Sequence, residues 1–155
     1  MRVIYFHQYF STLYGSDGTR SYSFALELIK SGHSVTIVCL NSDRSNSGLK
    51  GKINNGFRRG FVDGIDVIEF DIKYSNSNTF LSRSLTFLKF SWKSCFLVFK
   101  EKYDLIFATS TPLTVSLPGI FGRWMKGIPF VFEVRDLWPQ LPKSMKIIKN
   151  PFILW

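Results

Sequence analysis

Apolar positions fall along this chain in two alternating rhythms. The run Arg-Val-Ile-Tyr-Phe at residues 2–6 is short and rich in β-branched and aromatic side chains, which predicts a strand. A polar loop follows over residues 7–19 and holds Gly15 and Gly18. Over residues 20–31, Tyr22, Ala25, Leu26 and Ile29 share one helical face, and Gly32 stands where a helix-stopping glycine belongs. Residues 34–40 (Ser-Val-Thr-Ile-Val-Cys-Leu) are almost unbroken in apolar character, as in a strand buried on both faces of a parallel sheet. Strand, glycine loop, helix, glycine, strand predicts one βαβ unit.

Residues 41–60 break the rhythm. They are rich in Ser, Asn, Gly, Lys and Arg, lack periodicity, and read as one long loop. Residues 64–70 alternate apolar and acidic, predicting a strand with one wetter face. A long helix is expected over residues 80–102 and a buried strand over 104–109. A helical segment follows over 113–126, with a kink expected at Pro118-Gly119. The last strand, residues 129–134, feeds Arg135-Asp-Leu-Trp-Pro139 and an amphipathic piece reaching Trp155. The alternation predicts an α/β fold, a Rossmann-like doubly wound parallel sheet of about five strands, with no internal repeat or second domain. The apolar, uncapped stretch at residues 151–155 suggests the front half of something longer.

Composition narrows the classes. The chain has 155 residues, 45% apolar and 20% charged, which suits one globular domain and excludes an extended disordered chain. Its formal charge of +9 calls for an anionic partner: nucleic acid, a phosphorylated ligand or an anionic membrane. Two cysteines, Cys39 and Cys95, sit in apolar runs and read as reduced, buried thiols of a cytosolic protein. After Met1-Arg2 only four apolar residues come before His7, too few for a signal peptide, so the chain is expected to stay in the cytoplasm. The best candidate span, residues 81–99, carries Arg83, Lys89 and Lys93, too many charges for a transmembrane helix.

In an open parallel sheet, ligands gather beyond the carboxyl ends of the strands. Residues 7–20, 39–46, 109–114 and 133–139 meet that condition. In the first, Gly15 and Gly18 before a helix could aim free N–H groups at an anion, with Arg20 adding positive charge. The plain alternative is a glycine turn without a ligand. The pattern is neither Gly-x-Gly-x-x-Gly nor a P-loop. In the last segment Glu133, Arg135 and Asp136 crowd two carboxylates and a guanidinium at a strand end. Either Arg135 forks onto Glu133 or Asp136, or a carboxylate acts as base toward a hydroxyl while Arg135 holds a phosphate. Trp138 and Pro139 would wall the cleft. His7 either closes the turn after the first strand or serves as acid, base or ligand contact; His33 reads as a helix cap. Neither a metal-ligand cluster nor Ser-His-Asp spacing appears.

Between Asp71 and Glu101 lie five Lys or Arg residues and no acid. On a helical wheel Leu81, Leu85, Leu88, Trp92, Cys95, Phe96 and Phe99 form one stripe, expected to face the sheet. Phe87, Phe90, Leu97 and Val98 would lie behind, flanked by Lys89, Lys93 and Lys100. Lys89, Trp92 and Lys93 are therefore candidate contacts with an anionic membrane. The basic stretch 143–149 has the same character. The competing reading is a helix sandwiched against another protein. Nucleic acid is disfavoured as a partner, since no RNA- or DNA-reading motif is present.

The run Met1-Arg-Val-Ile-Tyr-Phe-His-Gln-Tyr-Phe10, the loop from Gly15 to Arg20, Leu28-Ile-Lys-Ser-Gly-His-Ser-Val-Thr-Ile37 and Phe132-Glu-Val-Arg-Asp-Leu-Trp-Pro139 resemble the N-terminal half of family 4 glycosyltransferases. The similarity is greatest to the fucosamine-type amino-sugar transferases of bacterial surface-polysaccharide assembly. The resemblance implies that residues 1–155 form the acceptor-side domain of a two-domain GT-B enzyme. A donor domain, in a missing half or a separate subunit, would bind a nucleotide-sugar. It also implies a lipid-linked sugar acceptor, transfer with retention, no cofactor and no required metal, and a peripheral position on the inner face of the cytoplasmic membrane. By the same analogy Gly15 and Gly18 line the donor diphosphate, with Arg20 opening the next helix. Arg135 and Asp136 stand where relatives carry His-Asp, so a histidine role is in doubt there. The chain alone would then be inactive. Two other readings are a non-catalytic membrane-anchoring subunit and a nucleotide-binding domain without transfer activity.

Overall fold

The computed structural model describes residues 1–15, 18–42, 45–74, 79–110 and 112–135. The chain runs β1 (Arg2–Phe6), α1 (Arg20–Lys30), β2 (Ser34–Ser42), β3 (Phe57–Val62), β4 (Ile65–Tyr74), α2 (Phe80–Lys100), β5 (Leu105–Thr109), α3 (Leu117–Lys126) and β6 (Phe130–Glu133). The strands form one sheet in the order β3-β4-β2-β1-β5-β6, parallel except for β3. From β1 the chain builds outward through β2 to the β3–β4 hairpin, then returns through α2 to β5 on the other side of β1. That reversal puts a topological switch point between β1 and β5, where a doubly wound sheet opens a crevice at its carboxyl edge. The Rossmann-like arrangement expected from the sequence is present.

Alternation along the strands divides the core between two layers. Ile4, Phe6, Val38, Leu40, Ile68 and Phe70 pack with Phe90 and Val98 of α2. Tyr5, Val35, Ile37, Cys39, Ile65 and Val67 pack with Tyr22 and Ala25 of α1. Helix α1 stops at Gly32, whose φ of +80° suits glycine. There the Gly32 N–H donates to the Ile29 carbonyl and the His33 N–H to that of Leu28, a Schellman closure. The capping role expected of His33 is thus met by its backbone.

Three expectations need correction. Residues 41–60 are not one loop, because β3 begins at Phe57 and the sheet has six strands. Arg58, Arg59 and Gly60 interrupt the apolar rhythm of β3, but Asp63-Gly64 makes the hairpin. Both residues have positive φ, +51° and +85°, as a two-residue hairpin turn demands. The arginines are held by β4: Arg58 pairs with Glu69 and Arg59 with Asp66. Second, residues 113–126 are not a helix kinked in the middle. A 3-10 turn, Leu113–Ser116, leads into α3, and Pro118 sits in its first turn, where its missing N–H costs nothing. Gly119 and Gly122 let α3 lie close on the sheet, since a Cβ there would come within 2.1 Å of Phe130 and 2.3 Å of Ile106.

The third correction concerns α2. Thr86, Phe90, Ser91, Ser94 and Val98 are buried against the sheet, while Leu81, Leu85, Leu88, Trp92, Phe96 and Phe99 are exposed. The more hydrophobic stripe faces outward. Small side chains on the inner face let the helix approach closely, and Ser91 Oγ donates to the Thr114 carbonyl at 2.6 Å. The C-terminus of α2 is closed by Lys126 of α3, whose Nζ donates to the carbonyls of Val98 (2.8 Å) and Phe99 (2.9 Å).

Candidate functional site

The carboxyl ends of β1, β5 and β6 bring together His7, Thr109, Ser110, Glu133 and Arg135, and the start of α1 adds Arg20 and Ser21. His7 is buried where β1 ends; its Nδ1 lies 2.6 Å from Ser21 Oγ, and its backbone N–H donates to the Val38 carbonyl. Burial, with the Arg135 guanidinium adding to it, pushes the His7 pKa down to about 3. The ring is therefore neutral at physiological pH. It can donate or accept a hydrogen bond but supplies no positive charge.

Arg20 reaches from the start of α1 to the Glu133 carboxylate at the end of β6. The second oxygen of Glu133 accepts from Thr109 Oγ1 at 2.6 Å. The Ser110 N–H donates to the Glu133 carbonyl at 2.9 Å, and Ser110 Oγ accepts from the Arg135 N–H at 2.8 Å. Glu133 thus ties the start of α1 to the ends of β5 and β6, directly over the switch point. The Tyr5 hydroxyl has its pKa raised, by burial first and then by the Glu133 charge, so it stays protonated.

Of the residues singled out from the sequence, His7, Arg20, Glu133 and Arg135 converge here. The pairing differs from that expected: Glu133 is held by Arg20 rather than by Arg135, and Arg20 is engaged rather than free for a diphosphate. Gly15 also has a different role. Its N–H donates to the Thr12 carbonyl, and a Cβ there would fall 1.9 Å from Ser11 Oγ and 2.9 Å from the Asn46 nitrogen. Gly15 is required by the packing of the 10–15 loop on residues 45–48, where the Thr12 N–H donates to the Asn46 carbonyl at 2.8 Å. Gly18 is exposed, with open space around its Cα. Asp136 and Trp138, like the basic stretch 143–149, lie outside the described residues. Thr109, Ser110 and Ser21 were not picked out individually from the sequence; a hydroxyl at a strand end carries no pattern of its own.

Lys89 and Trp92 are exposed on α2, whereas Lys93 is half-buried. Its Nζ donates to the Gly56 carbonyl at 3.3 Å and lies 5.4 Å from the centre of the Phe70 ring. Lys93 therefore latches α2 to the hairpin, which corrects its assignment to a membrane contact.

The glycosyl transferase 4-like domain family matches residues 18–151, most of the chain. The chain belongs to that family. Within curated proteins, a stretch of 58 residues is 38% identical to the UDP-N-acetylglucosamine–N-acetylmuramyl-(pentapeptide) pyrophosphoryl-undecaprenol N-acetylglucosamine transferase of Geobacillus thermodenitrificans. The match takes in 37% of this chain and 16% of that transferase. Among solved structures, the C-terminal domain of a Pyrococcus furiosus hydrogenase overlays with a TM-score of 0.58 at 15% identity, over 85% of this chain and 90% of that one. This likeness is one of fold. An Escherichia coli trehalose-6-phosphate protein bound with UDP-2-fluoro glucose overlays with a TM-score of 0.46 at 10% identity, over 86% of this chain and 32% of that one.

The state of His7 in this glycosyl transferase 4-like domain sets an acid limit on stability. Its pKa is lower folded (about 3) than unfolded (about 6.5), so the unfolded chain binds the extra proton between those values. Stability should be complete above pH 6.5 and fall by a few kcal/mol as the pH drops toward 3. Urea unfolding at pH 7, 5.5 and 4 should show this slope, and His7→Asn should flatten it. An equal slope in the variant would remove His7 as the cause.

Proposed function

We propose that this domain is the acceptor-side half of a GT-B glycosyltransferase that moves a sugar from a nucleotide-sugar to a lipid-linked glycan. The reading places it in assembly of a bacterial surface polysaccharide such as O-antigen or capsule, with a fucosamine-type amino-sugar as donor and retention of configuration. A donor-binding domain, in the same polypeptide or in a partner, would complete the cleft, and no cofactor is needed. The enzyme would work peripherally, on the inner face of the cytoplasmic membrane. Family membership supports the reaction class, and the curated relative's name includes a pyrophosphoryl-undecaprenol acceptor.

The observation that carries the reading is the cluster over the switch point: a neutral buried His7 beside an Arg20–Glu133–Thr109 bridge. Sugar hydroxyls are bound by neutral donors and acceptors held in fixed geometry, which is what His7 offers. Both Glu133 oxygens are engaged, so Glu133 is a positioning residue that fixes the crevice mouth. Asp136, three residues on, is the candidate to orient the acceptor hydroxyl or take its proton, with Arg135 beside it and Trp138 as an apolar wall. Among the outer glycines, Gly18 is the one left open to a diphosphate.

The test is transfer. Protein expressed with its native genetic neighbours should move label from a radioactive nucleotide-sugar into a short-chain prenyl-diphosphate N-acetylhexosamine. Asp136→Asn should lower turnover by about 10²- to 10⁴-fold with melting unchanged. Near-normal turnover with a lower melting temperature would assign Asp136 to structure. No transfer from any nucleotide-sugar would favour the anchoring-subunit reading, which the exposed apolar face of α2 also suits.

A further inference from the structure

Helices α2 and α3 pack against each other on one layer of the sheet, and both leave large apolar side chains exposed. On α2 the patch takes in Leu81 (70% exposed), Leu85, Leu88, Trp92 (66%) and Phe96; on α3 it takes in Phe121, Trp124 (80%) and Met125. Trp92 and Phe96 meet edge to face at 5.5 Å, which fixes an aromatic ridge in the middle of the patch. Exposed large apolar side chains in this number mark a contact surface.

The charges around the patch select its occupant. The two helices carry Arg83, Lys89, Lys93, Lys100, Arg123 and Lys126, and neither contains an Asp or Glu. Lys93 and Lys126 are turned to backbone carbonyls. Arg83 lies over the Tyr74 ring, with its guanidinium 5.8 Å from the ring centre. Arg123 makes one contact at 3.5 Å, with the Gly127 carbonyl. Among the described residues, none of Arg83, Lys89, Lys100 and Arg123 forms an ion pair. One exposed carboxylate, Asp71 near the end of β4, borders the patch beside Leu81, Leu85 and Lys89, against four cations, so a second copy docked on the patch would set mostly cations against cations. An anionic bilayer supplies both missing complements, headgroup charge for the lysines and arginines and acyl chains for the leucines and aromatics. Tryptophan is the side chain that settles at such an interface. No helix of the described residues is long and apolar enough to cross a membrane, so the contact is a surface one.

We infer that the paired outer faces of α2 and α3 form a single docking surface for an anionic lipid bilayer, with Trp92, Phe96 and Trp124 inserted among the headgroups and Lys89, Lys100 and Arg123 paired with lipid phosphates. This deepens the membrane placement proposed above and rests on it, but it is independent of which sugar is moved. It replaces the single-helix contact through Lys89 and Lys93 with a two-helix one. The amino half of α2 begins at the carboxyl edge of the sheet, after β4, the edge on which the crevice opens. Docking would therefore bring a lipid-linked acceptor within reach of the cluster at His7.

The experiment is sedimentation of the chain with vesicles of phosphatidylglycerol and phosphatidylcholine, mixed or pure phosphatidylcholine, at low and at high salt. Binding is expected to anionic vesicles at low salt and to weaken as salt rises. Each basic residue at the surface is worth about fivefold in partition, so Lys89→Glu/Lys100→Glu/Arg123→Glu should lower binding by about a hundredfold or more. Trp92→Ser/Trp124→Ser tests the apolar half and should also release the protein. Lys93→Gln, which does not face the patch, should bind as the parent does. Circular dichroism and gel filtration on every variant distinguish loss of docking from loss of fold. Equal binding by the triple-Glu variant, or a stable dimer of the parent dispersed by Trp124→Ser, would overturn the inference. Transfer to a short-chain acceptor in detergent should survive the triple-Glu change. If transfer fails in the parent while vesicles still bind, the sugar-transfer reading falls and the docking surface stands.

Discussion

Glu133→Gln should lower sugar transfer by about a hundredfold while shifting the melting temperature little. The carboxylate holds two groups, the Arg20 guanidinium and Thr109 Oγ1, which reach it from α1 and β5 while it sits at the end of β6. Arg20 is largely exposed, so solvent screens the pair and its contribution to stability should stay below about 1 kcal/mol. Its contribution to geometry is larger. Without the charge, the start of α1 and the ends of β5 and β6 are no longer tied over the switch point, and displacement of about 1 Å at a reacting centre can cost about 10²-fold. Arg20→Ala should produce a loss of similar size, and the double variant should be no worse than either single one, because both remove the same tie. Additive losses would show that the two side chains act separately. Unchanged turnover in Glu133→Gln would remove the bridge from the mechanism.

The largest effect on stability is expected at Glu69. This carboxylate is buried and accepts from Arg58 Nε at 2.9 Å, with Ser47 Oγ as its other partner. Glu69→Ala leaves a half-buried guanidinium and a buried hydroxyl without that partner, and breaking a buried pair from one side costs about 3–5 kcal/mol. Because Ser47 anchors the 45–48 segment on which the 10–15 loop is packed, the damage should spread. Amide exchange at Thr12 and Gly15 should accelerate along with global unfolding. A urea midpoint within error of the parent would contradict the buried-pair account. Glu69→Gln, which keeps the shape and one acceptor oxygen, should fall between the two.

Much of the fold was legible because parallel strands buried on both faces leave long apolar runs. Residues 34–40 and 104–109 are of that kind, and both became interior strands beside β1. The strand that escaped notice, β3, lies at the edge of the sheet, where one face is wet and arginines are tolerated. Its signal was in the turn, Asp63-Gly64, rather than in its hydrophobicity. The orientation of α2 was misread for a related reason. Helical periodicity identifies stripes but does not say which one the fold will bury, and here the buried stripe carries Thr86, Phe90, Ser91, Ser94 and Val98. At the site, residue types and strand ends pointed to His7, Glu133 and Arg135, and the fold brings the three together. Their partners were invisible, because Arg20 meets Glu133 across 113 positions of sequence and only the topology brings them together. At Gly15 the close backbone approach that a glycine permits is made to Ser11 and Asn46, a long-range contact that the local sequence does not announce.

The central claim is that the crevice over the β1–β5 switch point receives the acceptor sugar. Amide chemical shifts of the labelled chain, followed while a short-chain prenyl-diphosphate N-acetylhexosamine is added below its micelle concentration, test it most directly. The account predicts saturable shifts at His7, Ser21, Thr109, Ser110 and Arg135, with little change at the hairpin of β3 and β4. They should be abolished by His7→Ala in a protein that still gives a folded spectrum. Saturable shifts confined to the hairpin, or an unchanged spectrum at millimolar acceptor, would contradict it.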